Sequence, residues 1–132
     1  MVDLPQQTVP SSSETAITSD PNTLRRLYGP AQPAGGGSPL GAETIYTVPD
    51  GFRTTITFLL AINADLGSPP ATQTFTLSIG DDAPDTRIFN DSQVDPGFPV
   101  ALGLEITLEE GEYIQALPTG VTLTINGREV AL

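Results

Sequence analysis

The sequence predicts an all-β fold, an antiparallel sandwich or barrel of about eight short strands behind an extended N-terminal arm. Three observations lead there. From Glu43 onward apolar residues alternate with Thr and Ser at the period of two that marks half-buried strands. Clusters of Gly, Pro and Asp interrupt this alternation roughly every ten residues. The 132-residue chain contains 13 Gly and 13 Pro, and no segment holds a 3.6-residue apolar period over the 10 to 12 residues that identify a helix.

Residues 1–40 form the arm. Pro5, Pro10, Pro21, Pro30, Pro33 and Pro39 punctuate a Ser-, Thr- and Gln-rich stretch that ends in Gly35-Gly36-Gly37-Ser38, too poor in apolar side chains to offset the entropy of ordering it alone. It reads either as a tail or linker or as an arm that orders along a neighbouring subunit. Gly35-Gly36-Gly37 has no strand before it, no helix after it and no Lys, so a linker fits it better than a phosphate loop. One island, Leu24, Arg25, Arg26, Leu27 and Tyr28, is apolar enough to add an edge strand or to dock on a surface, and these five are the candidate interaction residues.

Residues 41–132 form the sandwich domain. Strands are expected at 44–48, 52–62, 73–79, 87–89, 100–108 and 113–117. In the longest of them, Phe52, Ile56, Phe58, Leu60 and Ile62 are assigned to the core face, with Arg53, Thr55 and Thr57 opposite. Phe75, Leu77 and Ile79, then Val100, Leu102, Leu104, Ile106 and Leu108, repeat the scheme. At the C-terminal end, 121–125 and 128–132 are read as a hairpin across Asn126-Gly127, since Asn-Gly suits a type I′ turn with positive φ at both central positions. Four of the five Phe fall in or at the start of these strands, which makes them core and leaves no aromatic stacking platform.

Composition closes several routes to chemistry. With no Cys and no His, the chain cannot build a Ser-His-Asp or Cys-His nucleophile or a disulfide framework, nor a zinc site of the usual Cys and His ligands. The formal net charge is −11, and all five bases are Arg; phosphate backbones and anionic bilayers are poor partners for it. No run of 18 apolar residues occurs, and Met1-Val2-Asp3-Leu4-Pro5 lacks the pattern of a signal peptide, so the expected site of synthesis and use is the cytosol.

The charged clusters that remain are weighed as turns. Asp81, Asp82 and Asp85, with Asp91 and Asp95 nearby, offer oxygen ligands for Ca²⁺ but lack the EF-hand spacing, and a solvated turn is the better reading. Glu109-Glu110-Gly111-Glu112 could supply paired carboxylates for glycoside hydrolysis, but a chain without Trp offers little aromatic lining for a sugar cleft. A charged turn that guards a sheet edge accounts for the same residues. Arg25 and Arg26 suit a partner's carboxylates, while Arg53, Arg87 and Arg128 are expected to pair with the chain's own acids. No catalytic residue, cofactor or metal is assigned, and the chain is expected not to be an enzyme.

Leu27-Tyr28-Gly29-Pro30 and Thr44-Ile45-Tyr46-Thr47-Val48-Pro49-Asp50-Gly51, then Phe75 to Gly80, Leu108 to Glu112 and Leu123 to Gly127, resemble the turn and strand motifs of small virion proteins of tailed bacteriophages. The resemblance spans roughly residues 24–132; the chain departs from it in its longer Pro-rich start and in an insertion at 67–71. It implies a jelly-roll-like β-sandwich on the outside of a phage particle and carries no catalytic residues. The expected function is a capsid decoration or minor capsid protein that binds and stabilises the assembled shell. Its expected partners are the major capsid protein or other virion structural proteins, together with further copies of itself, a trimer among the options. Its expected location is the virion, assembled in the host cytoplasm. The alternatives are a minor tail or fibre protein and a carbohydrate-binding module. If the arm docks the protein, deleting residues 1–40 is expected to leave the fold intact and weaken particle binding, as is reversing Arg25 and Arg26 together.

Overall fold

The structure, a computed structural model, describes residues 24–33, 41–117 and 120–132. The remainder of the 1–40 arm, Gly35-Gly36-Gly37 included, lies outside the described residues. Eight strands follow in chain order: β1 (Leu24–Ala31), β2 (Glu43–Thr47), β3 (Phe52–Asn63), β4 (Gln73–Ile79), β5 (Arg87–Val94), β6 (Val100–Leu108), β7 (Tyr113–Ala116) and β8 (Val121–Ala131). Among the described residues there is no helix.

The pairing is nested: β4 lies against β5, β3 against β6, β2 against β7 and β1 against β8, all antiparallel. The chain is thus a long folded-back ribbon. Rolling that ribbon brings β3 to β8 and β4 to β7, which gives one sheet in the order β1-β8-β3-β6 and a second in the order β2-β7-β4-β5. This is the jelly-roll arrangement of a two-sheet sandwich. Its inner faces enclose Val48, Ile56, Leu59, Ala61, Phe75, Leu77, Val94, Leu108, Ile114, Ala116, Val121, Leu123 and Ile125, none more than 2% exposed. Phe75 packs on Phe89 with ring centroids 5.4 Å apart.

Turns gather at the two ends. At one end the Val48 amide donates to the Glu112 carbonyl, Gly111 to Val48, Gly80 to Tyr113 and Leu132 to Gly51. At the other, Ala64 donates to the Gly120 carbonyl, and Asn63 Nδ2 donates to the carbonyls of Ala71 and Val94, both at 2.8 Å.

Three sequence readings are corrected by the registers. First, β8 runs unbroken from Val121 to Ala131, so Asn126-Gly127 is no hairpin turn. Core residues alternate through that point, with Val121, Leu123, Ile125, Gly127 and Glu129 all buried, and Gly127 does not adopt positive φ. Second, β3 carries a bulge: Ile56 lies opposite Gly127 and Phe58 opposite Asn126, leaving Thr57 as the extra residue. One inserted residue flips every later side chain. The core therefore takes Ile56, Leu59 and Ala61, and Phe58, Leu60 and Ile62 project from the outer face. Third, the strand expected at 87–89 continues to Val94. A shift between the Phe75–Ser92 and Leu77–Phe89 pairs, with Asp91 at φ 50°, interrupts the alternation that would have shown its second half. Thr76 holds that kink, accepting the Asp91 amide at 2.9 Å.

Candidate interaction site

The candidate interaction residues all lie on β1, an edge strand of the first sheet. The option of an edge strand is the one the chain adopts within its own sandwich. Gly29 seats β1: at φ +88° its backbone approaches β8 so closely that a Cβ there would collide with the Leu123 carbonyl oxygen. Leu27 and Tyr28 are half-buried against the core, while Leu24, Arg25 and Arg26 are exposed.

Behind β1 lies the one buried charged side chain among the described residues. Glu129 occupies a core-facing position on β8 and is 9% exposed, where an unpaired carboxylate would be strongly unfavourable. Two neighbours satisfy it directly, and a third orients one of them. The Tyr46 hydroxyl, from β2 of the opposite sheet, donates to its Oε2 at 2.5 Å. Arg25 reaches its Oε1 at 3.1 Å, and the Tyr46 oxygen also lies 2.7 Å from Thr54 Oγ1 on β3. The cluster therefore ties β1, β3 and β8 to β2 across the sandwich. Burial and the Glu129 carboxylate push the Tyr46 phenol well above its ordinary value. Burial and then Glu43 raise Tyr28 in the same direction. With its donors drawn from strands of both sheets, the cluster has the geometry of a structural staple.

The acidic turns are likewise occupied by local bonds. Asp82 holds Arg87 through Nε at 2.8 Å and Nη2 at 3.1 Å and accepts from Ser78 Oγ at 2.9 Å. Asp81 accepts from the Tyr113 hydroxyl at 2.6 Å, and Asp85 is exposed. Among the described residues no three Asp or Glu side chains converge as metal ligands would. A shallow cleft is lined by Ala42, Asp81, Asp82 and Gln115, and in its wall the Asp82 amide donates to Gln115 Oε1 at 3.1 Å. In the second turn, Glu109 pairs with Arg53, Glu110 accepts the Gly51 amide at 3.0 Å and Glu112 accepts the Glu109 amide at 2.6 Å. The pairing expected for Arg53 and Arg87 is present; Arg128 makes no ion pair among the described residues.

Arg87, helped by Ser78, holds the Asp82 carboxyl below its ordinary 3.8, and the Ala71 and Gly67 amides do the same for Asp65. A carboxyl depressed in the folded state contributes stability above its unfolded value, and that contribution is lost as pH falls through the folded one. Melting temperature is therefore expected to fall as pH drops below about 4. Asp82→Asn is expected to lower the melting temperature at pH 7 and to flatten this acid limb, as measured by thermal unfolding across pH 2 to 7.

Two exposed apolar side chains were not singled out by sequence reasoning. Leu66, in the 64–72 connection, is 96% exposed, and Phe98, in the 95–99 connection, is 73% exposed. A Thr72 to Asp95 hydrogen bond of 2.9 Å joins the two connections. The legible signal was Phe98 itself, the one Phe placed within a turn cluster, between Gly97 and Pro99.

The class defined by this geometry is an all-β jelly-roll sandwich whose acidic turns are internally bonded. No protein-family model matches the chain, and no curated protein matches it.

Proposed function

We propose that this chain is a structural protein of a tailed-phage virion, a capsid decoration or minor capsid protein that binds the assembled shell and has no catalytic role. The observation that supports the reading is the topology. The phage-like motifs imply a β-sandwich of jelly-roll type, and the segments that carry them fall on β1, on β2 with its following turn, on β4, on the β6–β7 turn and on β8. The mechanism is linkage: a protein that binds the assembled shell better than its free subunits shifts assembly toward the shell.

The test is co-sedimentation with undecorated capsids and, separately, with isolated tails of the same phage. Saturable capsid binding at a multiple set by shell symmetry is the expected result. Binding to tails alone would move the protein to a tail or fibre role, and binding to neither overturns the virion reading. An arm deletion in this assay must end before Leu24, because removing residues 1–40 would strip β1 from β8. Reversing Arg25 would likewise set a carboxylate beside Glu129 and perturb the fold.

A further inference from the structure

The bulge at Thr57 has a consequence for the outside of the molecule. It places Phe58, Leu60 and Ile62 in a row on the outer face of β3, an interior strand of its sheet. Ile62 is 42% exposed, and Phe58 and Leu60 are half-buried. Beside the row, on the same face, stand the small or uncharged residues that pair with it. These are Asn126, Thr124 and Thr122 on β8, with Gly103 and Ala101 on β6. No described residue of the opposite sheet covers this face, since the sandwich core lies behind it.

The charges on the face are arranged asymmetrically. Arg26 pairs in register with Asn126 at the β1 edge, and Asn126 pairs with Phe58. At the opposite edge Glu105 projects outward from β6, between the Gly103–Phe58 and Ile106–Ile56 pairs. Arg26 and Glu105 thus lie close to one level on the two edges, roughly 14 Å apart at about 4.8 Å per strand. Both are exposed, and neither forms an ion pair among the described residues.

We propose that this face is the interface between two copies of the chain, related by a twofold axis parallel to the strands. Such an axis sets β1 of one copy over β6 of the other. Arg26 then meets Glu105 of the partner subunit, and the same pair forms again across the axis, as an isologous interface requires. The two apolar rows run on either side of the axis about one strand spacing apart, where they interdigitate. Arg128 pairs with Thr55, beyond the Phe58 end of the row, and stays hydrated at the rim. The rest of the surface explains the choice of face. In a chain of net charge −11, this face carries Arg26 and Arg128 against Glu105, with Arg53 neutralised by Glu109, so two copies meet here with little acidic repulsion. The proposal is independent of the virion reading.

The test is sedimentation velocity of the full chain across about 1 to 500 μM, a range suited to a small interface, with thermal melts as a control for folding. A monomer–dimer equilibrium is expected. Arg26→Glu and Glu105→Arg are each expected to weaken it about tenfold or more, because each places like charges at two symmetric positions. The double variant R26E/E105R is expected to restore it, and an equimolar mixture of the two single variants to form heterodimers. Leu60→Glu, in the centre of the row, is expected to abolish the dimer. Should that variant not fold, the charge-swap set decides alone. A monomer throughout the range overturns the proposal, whether the chain's own residues before Leu24 or solvent cover the row. An oligomer of any size that these substitutions do not move, or a charge swap that restores nothing, overturns it equally.

Discussion

Gly127→Ala is expected to destabilise the fold by about 3 kcal/mol or more, at the upper end of what overpacking costs. At this core-facing position of β8, an added Cβ would strike the Thr55 carbonyl oxygen and lie 2.8 Å from Leu27 Cδ1 and 3.2 Å from Ile56 Cα. Two of these three atoms are backbone of β3, the longest strand in the molecule, so relief requires moving a strand rather than turning a side chain. The neighbouring irregularities follow from the same closeness. Thr57 on β3 is skipped in the register between Gly127 and Asn126, and Leu27 on β1 is skipped one step further along β8, between Asn126 and Ile125. Urea unfolding at neutral pH checks the prediction. A loss under about 1 kcal/mol would fit a surface turn and contradict the strand described above.

Tyr46→Phe is expected to lower stability by about 1.5–3 kcal/mol, the range for a hydrogen bond to a charged group. The lost hydroxyl is the donor that Glu129 receives from the opposite sheet. Arg25→Ala is expected to lower stability by no more than about 1 kcal/mol, since the Arg25 side chain is 49% exposed while that of Glu129 is 10% exposed. The comparison shows which partner sustains the buried carboxylate. The phenol also gives the variant a pH signature. Its folded value is raised above 10.0, so its contribution is complete below about pH 10 and is lost as pH rises through the folded value. Chemical unfolding between pH 7 and 11 is expected to show an alkaline decline in the parent protein that is shallower in Tyr46→Phe.

Much of the strand plan was legible along the chain. Strands β4 and β6 fall where the alternation of Phe75, Leu77 and Ile79, and of Val100 through Leu108, places them. Apolar periodicity is a local property that persists along these two strands even though their ladders with β5 and β3 carry register shifts. The errors cluster where two strands meet. Asn126-Gly127 has the local chemistry of a turn, yet here the glycine serves the close approach of β3. The assignment of Phe58, Leu60 and Ile62 to the core failed because the alternation continues unbroken through Thr57, and an inserted residue is visible only against a partner strand. The Glu129 cluster was not legible either. Its four members, Arg25, Tyr46, Thr54 and Glu129, come from β1, β2, β3 and β8, and a Glu in a strand reads as a solvent-facing residue until the opposite sheet supplies its donors.

By itself the sequence determined the all-β class, the approximate number of strands, most turn positions and the narrow menu of side-chain chemistry. Each of these depends on residue type and short-range spacing. The tertiary structure decided which strands pair, where the bulges turn side chains outward, that Asn126-Gly127 lies inside β8, and that Arg25 on the edge strand pairs with the buried Glu129. Those outcomes depend on contacts between residues distant in the chain, and their energies are set by backbone approach and burial, which no local pattern encodes.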